Sequence, residues 1–527
     1  MTWFSLPAYR KDTPPAFVDM DGCNAWLATQ PLANAPAMQD ALAGQLEALN
    51  AWALPARERY KILETLRKPV FAIEAESGKR YDGRPVPLSA VEQKAFDGSC
   101  RLWRQLATGY LHCLRACLDK DASLTDHQAK IAHRTLTSLR MEQLARYRGT
   151  ATVPGHWWRL LHATLASADQ LGVSTTAISD RLLPETREST VAGQYAMAML
   201  LHLSRPHELS RSQFGAVLRW LPRWREQVKI HASANDAGDS RTIVIELSGD
   251  EPIHAARGAP ANGRWLALDT VLGKFKSRMR DLRTGKSPEE LNLGNSLPVD
   301  ACIGLLQFLH GAVQAPAAPP PSPHDAQAKV RLATTLECIH LLHGGKPIAA
   351  QEEPTSLSNR RQAEQIAIFG HVVRENTPSA ESGLEDWLLL FDQNGLLALC
   401  RPAGTTGERL SNRSLVAIRA ADGTQRLAVF RSLLVQEDGS LLAWAKALPG
   451  KAIALTANGR ERVTNRMVPH PAIFLSASAQ TGKPASLFLP AGAMNKLVRL
   501  DVAELPDGLK VGAPLDRGSN YERLACD

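Results

Sequence analysis

The chain has no cysteine framework, no membrane-length apolar run and no motif that announces a catalytic chemistry. Its eight cysteines, at 23, 100, 113, 117, 302, 338, 400 and 526, follow no disulfide spacing, as expected for buried, reduced thiols in a cytoplasmic protein. The first ten residues carry no basic region leading into an apolar one, so no secretory signal is expected. The longest apolar stretch, around Tyr195–Leu203, is about half of what a membrane-crossing helix requires. Gly285-Lys286-Ser287 resembles the end of a phosphate-cradling loop, but the place five residues earlier holds Arg280 instead of glycine, which rules that loop out. Cys338, His340 and His343 are dense, as are His112, Cys113 and Cys117, yet neither cluster meets a second pair at zinc spacing. If 338–343 is read as a strand, Cys338 and His340 fall apart from some of their neighbours, because alternate residues point to opposite faces. Neither a Gly-x-Ser-x-Gly elbow nor a Cys/His nucleophile signature is present. No metal, cofactor or enzymatic activity is therefore expected.

What is present divides at 315–323, which reads Ala-Pro-Ala-Ala-Pro-Pro-Pro-Ser-Pro. Prolines at that density donate few backbone hydrogen bonds and favour extended chain, so the segment reads as a semi-rigid spacer. With 527 residues, 44% hydrophobic and 22% charged, the chain reads as soluble, globular and multidomain. The basic excess sits before the spacer: 38 Lys and Arg against 32 Asp and Glu up to residue 323, then 23 against 21.

The first half is patterned as helices. Met38, Leu42, Leu46 and Leu49 recur at three- and four-residue steps, and a second run through Tyr60, Leu63 and Leu66 ends at Pro69. Ser89 with Glu92 forms a capping box for a helix towards Leu118. Further helices are expected over 125–148, 156–170, 191–203 and 210–222, followed by strands at Thr242–Leu247 and Arg264–Leu268. A basic helix over 270–284 and a short helix near Pro298–Gly311 complete this half.

Beyond the spacer, short apolar runs are separated by Asn394-Gly395, Asp422-Gly423 and Asp438-Gly439, which are hairpin dipeptides. Strands are also expected at Ala452–Leu455, Ile473–Leu475, Leu487–Leu489 and Leu497–Val502, with one helix interrupting at Asn359–Gly370. The expected fold is multidomain α+β: an α-helical domain over 1–226, a small mixed segment over 227–312, a Pro/Ala-rich linker over 313–328, an antiparallel β-barrel over 329–510 and a tail over 511–527.

One charged segment stands out in the first half. Lys274, Lys276, Arg278, Arg280, Arg283 and Lys286 are offset only by Asp281 and could engage a polyanion. Leu272, Phe275, Met279 and Leu282 step through the same segment at helical spacing, which equally describes an amphipathic helix with a solvated basic face.

From about Lys329 to Val502 the chain resembles PilZ-type domains, the bacterial receptors for cyclic di-GMP. It is most similar to the divergent barrels that end large, mostly helical beta-proteobacterial proteins. The resemblance rests on the run Arg331-Leu-Ala-Thr-Thr-Leu-Glu-Cys-Ile-His, on Gln365-Ile-Ala-Ile-Phe-Gly, on Trp387-Leu-Leu-Leu-Phe-Asp, on Ser414-Leu-Val-Ala-Ile-Arg and on Arg426-Leu-Ala-Val-Phe-Arg. The helical half is similar to the same proteins through Arg59-Tyr-Lys-Ile-Leu-Glu-Thr-Leu-Arg-Lys-Pro-Val. In that family an Arg-x-x-x-Arg pair in the segment entering the barrel grips guanine edges and phosphates, and an Asp/Asn-x-Ser-x-x-Gly turn completes the site. Here the entering segment offers only Lys329 and Arg331, and the turn beginning at Asp392 has Asn394 and Leu397 at the Ser and Gly places. Arg409–Arg413 supplies the spacing elsewhere in the resembling region, and Arg360 and Arg361 could add a positive edge.

The resemblance thus implies a non-enzymatic cytoplasmic signalling or adaptor protein of the cyclic di-GMP effector type with degenerate ligand motifs. Arg331, Arg360, Arg361, Arg409 and Arg413 are its candidate ligand residues. Cyclic di-GMP and a protein partner are the two expected occupants, no membrane span is expected, and nucleic acid ranks below both. The alternative is a nucleic-acid or polyanion binder acting through Lys274–Lys286.

Overall fold

The computed structural model describes residues 3–10, 14–31, 34–183, 188–238, 240–254, 259–315, 326–348, 383–478, 482–502, 505 and 510–526. Most of the spacer, the expected helix at Asn359–Gly370, and with it Arg360 and Arg361, lie outside these residues. The chain forms two compact units, one of Met1–Arg84 and Leu88–Pro319, the other of Pro85–Pro87 and Pro320–Asp527.

The first unit begins with helices α1 (Met20–Ala28), α2 (Ala35–Ala51), α3 (Ala56–Tyr81), α4 (Ala90–Leu118), α5 (Gln128–Arg148) and α6 (Gly155–Gln170). A two-stranded ribbon, β1 (Ile178–Ser179) and β2 (Glu188–Ser189), leads into α7 (Val191–Leu203) and α8 (Arg211–Trp224). Then come β3 (Lys229–His231), α9 (Ala234–Ala237), β4 (Thr242–Glu246) and β5 (Gly263–Ala267), the three strands forming a sheet in the order β3-β5-β4. The unit closes with α10 (Asp269–Arg283) and α11 (Val299–Gln314). The mixed segment expected over 227–312 belongs to this unit. Ser89 and Glu92 make the capping box reciprocally at the start of α4. Pro69, expected to end its helix, lies inside α3, which runs on to Tyr81. Val70, Ile73 and Ser77 stay buried beyond it, and that packing outweighs the single lost backbone bond.

In the second unit β6 (Ala328–Ala333), α12 (Leu336–Leu342), β7 (Leu384–Gln393), β8 (Leu396–Arg401), β9 (Leu415–Arg419), β10 (Gln425–Val435) and β11 (Leu441–Ala447) follow in turn. Six of these strands close into an antiparallel barrel in the order β10-β11-β8-β7-β6-β9. All three hairpin dipeptides turn where the sequence places them. Asn394 and Gly395 both take positive φ, at 52° and 71°, as a tight hairpin turn between β7 and β8 demands. The segment around Cys338, read above as a strand, is the helix α12: the Thr335 hydroxyl caps it by accepting from the Cys338 amide at 3.2 Å.

A single barrel was expected over 329–510, but its second half forms a separate sheet. The strands β12 (Ala452–Glu461), β13 (Met467–Leu475), β14 (Ser486–Pro490), β15 (Leu497–Asp501), β16 (Val511–Arg517) and β17 (Tyr521–Cys526) order as β15-β12-β13-β14-β17-β16. Residues read as a tail therefore supply its last two strands. Ile473, Leu475, Phe488 and Tyr521 of this sheet pack with Leu336, Ile339, Leu415, Ala417 and Leu427, so one apolar layer joins sheet, helix and barrel wall. Alternation within a strand tells which side faces in, but not which strand it pairs with.

Candidate functional site

Chain entry and barrel closure together create a cationic cleft. On β6 the side chains alternate: Val330 and Leu332 are buried, whereas Lys329 is exposed and Arg331 half-buried. Because β6 pairs on one side with β7 and on the other with β9, Arg331 lies directly opposite both Asp386 and Arg419. The Arg331 guanidinium approaches the Asp386 carboxylate at 3.7 Å. Lys329, Arg331 and Arg419 line a cleft of about 700 Å³ together with Trp387, Leu388, Pro402 and Thr405. That volume is within the range of roughly 300–1,000 Å³ typical of small-molecule sites. Like charges directly across a sheet repel. Two facing arginines with a lysine two residues away present guanidinium groups of the kind that give bidentate bonds to phosphate.

A buried charge pair, Glu385 with Arg401, lies beside Trp387, which lines the cleft. Glu385 accepts from the Thr334 hydroxyl and the Trp387 indole at 3.0 Å each, from the Glu408 amide at 2.8 Å, and from Arg401 at 3.0 Å. Arg401 also donates to the Glu408 carbonyl and lies 5.6 Å from the centre of the Trp387 ring. Every lone pair of the carboxylate thus has a donor near it, the condition under which a buried ion pair is tolerated.

The sequence-derived candidates separate. Arg331 lies in the cleft. Arg409 donates instead to the carbonyls of Pro85 and Pro87, at 2.9 and 3.0 Å, in the short segment that groups with this unit. Arg413 has a φ of 65°, pairs with Asp516, and bonds through its backbone to Phe430 and Ser519. Neither is among the residues that line the cleft with Arg331. Arg419 was missed: its partnership with Arg331 depends on the β6–β9 pairing, between strands more than 80 residues apart, and no local signal carries that.

In the first unit Lys274, Lys276, Arg280, Arg283 and Lys286 are exposed and Arg278 half-buried, while Val271, Leu272, Phe275 and Leu282 of α10 face the core. This is the amphipathic arrangement, with Lys286 held 3.5 Å from Asp281. The cysteines are mostly buried, and burial pushes the Cys23 thiol up to about 11 and Cys117 to about 12, so neither is a nucleophile near neutrality. His340 of α12 is bonded to the carbonyls of Ala472 and Lys346. Among the described residues no cluster of three or more His, Cys, Asp or Glu side chains could hold a metal ion.

A second polar cluster, in the helical unit, is structural. Helix α5 buries most of its length, including Arg134, Arg140, Glu142 and Gln143. Asp180, beside the ribbon, accepts from Arg67 of α3 and Arg134 of α5 at 2.6 Å each. Burial alone would raise the Asp180 carboxyl, but the two guanidinium groups hold it below its ordinary value. Glu64 receives Lys130 at 2.8 Å, the Tyr110 hydroxyl at 2.6 Å and Arg134 at 3.4 Å. The ribbon is thereby fastened to the helices by paired charges.

Residues 21–235, from α1 through α8 and β3, match the family model described as the cyclic-di-GMP receptor FimW, N-terminal domain. No curated protein and no solved structure matches the chain.

Proposed function

We propose that this chain is a non-enzymatic cyclic di-GMP receptor whose barrel, a PilZ-like domain with altered ligand motifs, takes the nucleotide in the cleft of Lys329, Arg331 and Arg419. The observation that carries the reading is the match of the helical region to a cyclic-di-GMP receptor's N-terminal domain. It is supported by a closed six-stranded barrel with a phosphate-compatible cation cluster on its first strand. A cyclic dinucleotide presents two phosphodiesters and two planar bases, and the cleft offers guanidinium forks for the former and an apolar wall of Leu388 and Pro402 beside the latter. In this reading the cations of β6 and β9 stand in for the arginine pair of the related barrels, and occupancy is passed to a protein partner in the cytoplasm. Among the described residues no helix is long and apolar enough to cross a membrane. Calorimetry of the full chain with cyclic di-GMP tests the proposal. Saturable heat that linear GMP does not produce is the expected result, and no heat at micromolar nucleotide would refute it.

A further inference from the structure

The second sheet carries at one corner an exposed tip that neither the barrel nor the helices explain. The hairpin between β12 and β13 turns through Arg462-Val463-Thr464-Asn465-Arg466, where Val463 is 94% exposed. Beside it, Met467 and Val498 are 46% and 67% exposed. A β-branched residue at a hairpin apex is contrary to turn preference, yet this turn is well fixed. Glu461 donates from its amide to the Arg466 carbonyl at 2.9 Å, Asn465 donates back to the Glu461 carbonyl at 3.0 Å, and the Thr464 hydroxyl bonds the Glu461 carboxylate at 2.6 Å. The Arg462 amide donates to the Lys496 carbonyl at 2.7 Å, fastening the tip to the start of β15, the edge strand of the sheet.

Around these apolar side chains stand Arg460, Arg462, Arg466, Lys496 and Arg499, all exposed, and none is ion-paired with another described residue. Strand pairing sets Met467, Arg460 and Arg499 in one row across β13, β12 and β15. Nearby, the Glu461 carboxylate is engaged by Thr464, leaving Asp501 as the exposed acid of β15.

We infer that this tip docks on an anionic phospholipid surface, with Val463, Met467 and Val498 entering the headgroup boundary and the surrounding cations contacting lipid phosphates and carboxylates. Protruding aliphatic residues ringed by arginine and lysine fit a surface that is apolar inside and negative outside. A nucleic acid would use the cations but give the aliphatic apex no partner, since base recognition on such surfaces relies on aromatic stacking.

The test is co-sedimentation of the full chain with vesicles of phosphatidylcholine alone and of phosphatidylcholine containing about 30% phosphatidylserine. The expected result is binding to the anionic vesicles only, weakening as salt rises. Val463→Asp is expected to reduce that binding about tenfold or more. Arg462→Ala with Arg466→Ala should reduce it and flatten its salt dependence. Both variants change exposed turn residues, and unchanged thermal melting shows that they fold. Equal sedimentation with both vesicle types, none with either, or wild-type binding by Val463→Asp would overturn the inference. So would capture of polyglutamate or of a single-stranded oligonucleotide by a chain that ignores the vesicles.

Discussion

Replacing Asp180 by alanine tests whether the ribbon is fastened to the helices by charge. The wild-type carboxylate is shared by Arg67 and Arg134 at 2.6 Å each, and these side chains are only 5% and 4% exposed. Removing one partner of a buried ion pair costs about 3–5 kcal/mol, because the remaining charge cannot be resolvated. Arg134 keeps Glu64 at 3.4 Å, so most of the loss falls on Arg67. For a unit of more than 300 residues such a loss corresponds to a fall in melting temperature of about 5–8 °C. Differential scanning calorimetry and urea unfolding followed by far-UV circular dichroism both read it, with the helical signal as reporter. A triple variant, Asp180→Leu with Arg67→Met and Arg134→Leu, should be more stable than Asp180→Ala, since an apolar cluster of similar volume replaces the stranded charges. A loss below about 1 kcal/mol for Asp180→Ala would place the pair among the weak surface bridges and refute the reasoning.

Other outcomes follow from the same structure. Glu385→Ala removes the acceptor shared by Thr334, Trp387, Arg401 and the Glu408 amide. It should destabilise the barrel by about 3–5 kcal/mol, seen as a shift in tryptophan fluorescence at lower urea. Burial depresses His162 and His202 to about 4 and His133 and His207 to about 3, from an ordinary 6.5. Their folded pKa lies below the unfolded one, so the stability they contribute is present above 6.5 and is lost as pH falls towards 4, by about 2 kcal/mol each on going from neutrality to about pH 5. Glu74, raised by burial to about 7 from 4.5, acts oppositely: its contribution is present below 4.5 and is lost as pH rises through 7. It returns about 2 kcal/mol over the same interval. The histidines prevail, and the melting temperature should fall from pH 7 to about pH 5; a melting temperature that rises on acidification would refute this. Gly395→Ala should cost about 1 kcal/mol in urea unfolding, since φ of 71° is disfavoured for a residue with a Cβ and no nearby atom is displaced.

Helices and hairpins were legible because their signals are local. Ser89 and Glu92 lie within one turn of each other, and Asn394-Gly395 sets its own φ values, so periodicity and turn chemistry were enough. Pro69 misled because its cost is local while the burial of Val70, Ile73 and Ser77 that offsets it is tertiary. The separation of the strands into barrel and second sheet was illegible for a similar reason: β16, mostly exposed, has little hydrophobic pattern of its own, and β17, though buried, is placed only by its pairing with β14 and β16. Only part of the cleft could be read from the sequence. Arg331 was found through its place at the barrel entrance, whereas Arg419 acquires meaning only when β9 comes beside β6. The Arg409–Arg413 spacing shows the converse: a matching interval in sequence whose members bond to different partners in space.

If the arginines of β6 and β9 hold the nucleotide as proposed, the dissociation constant of Arg419→Ala for cyclic di-GMP, set beside the wild-type value, reveals it. Loss of charge-assisted bonds of 1.5–3 kcal/mol predicts affinity weaker by about 10–100-fold. Wild-type affinity in Arg419→Ala, with binding abolished by Arg409→Ala or Arg413→Ala instead, would contradict the account.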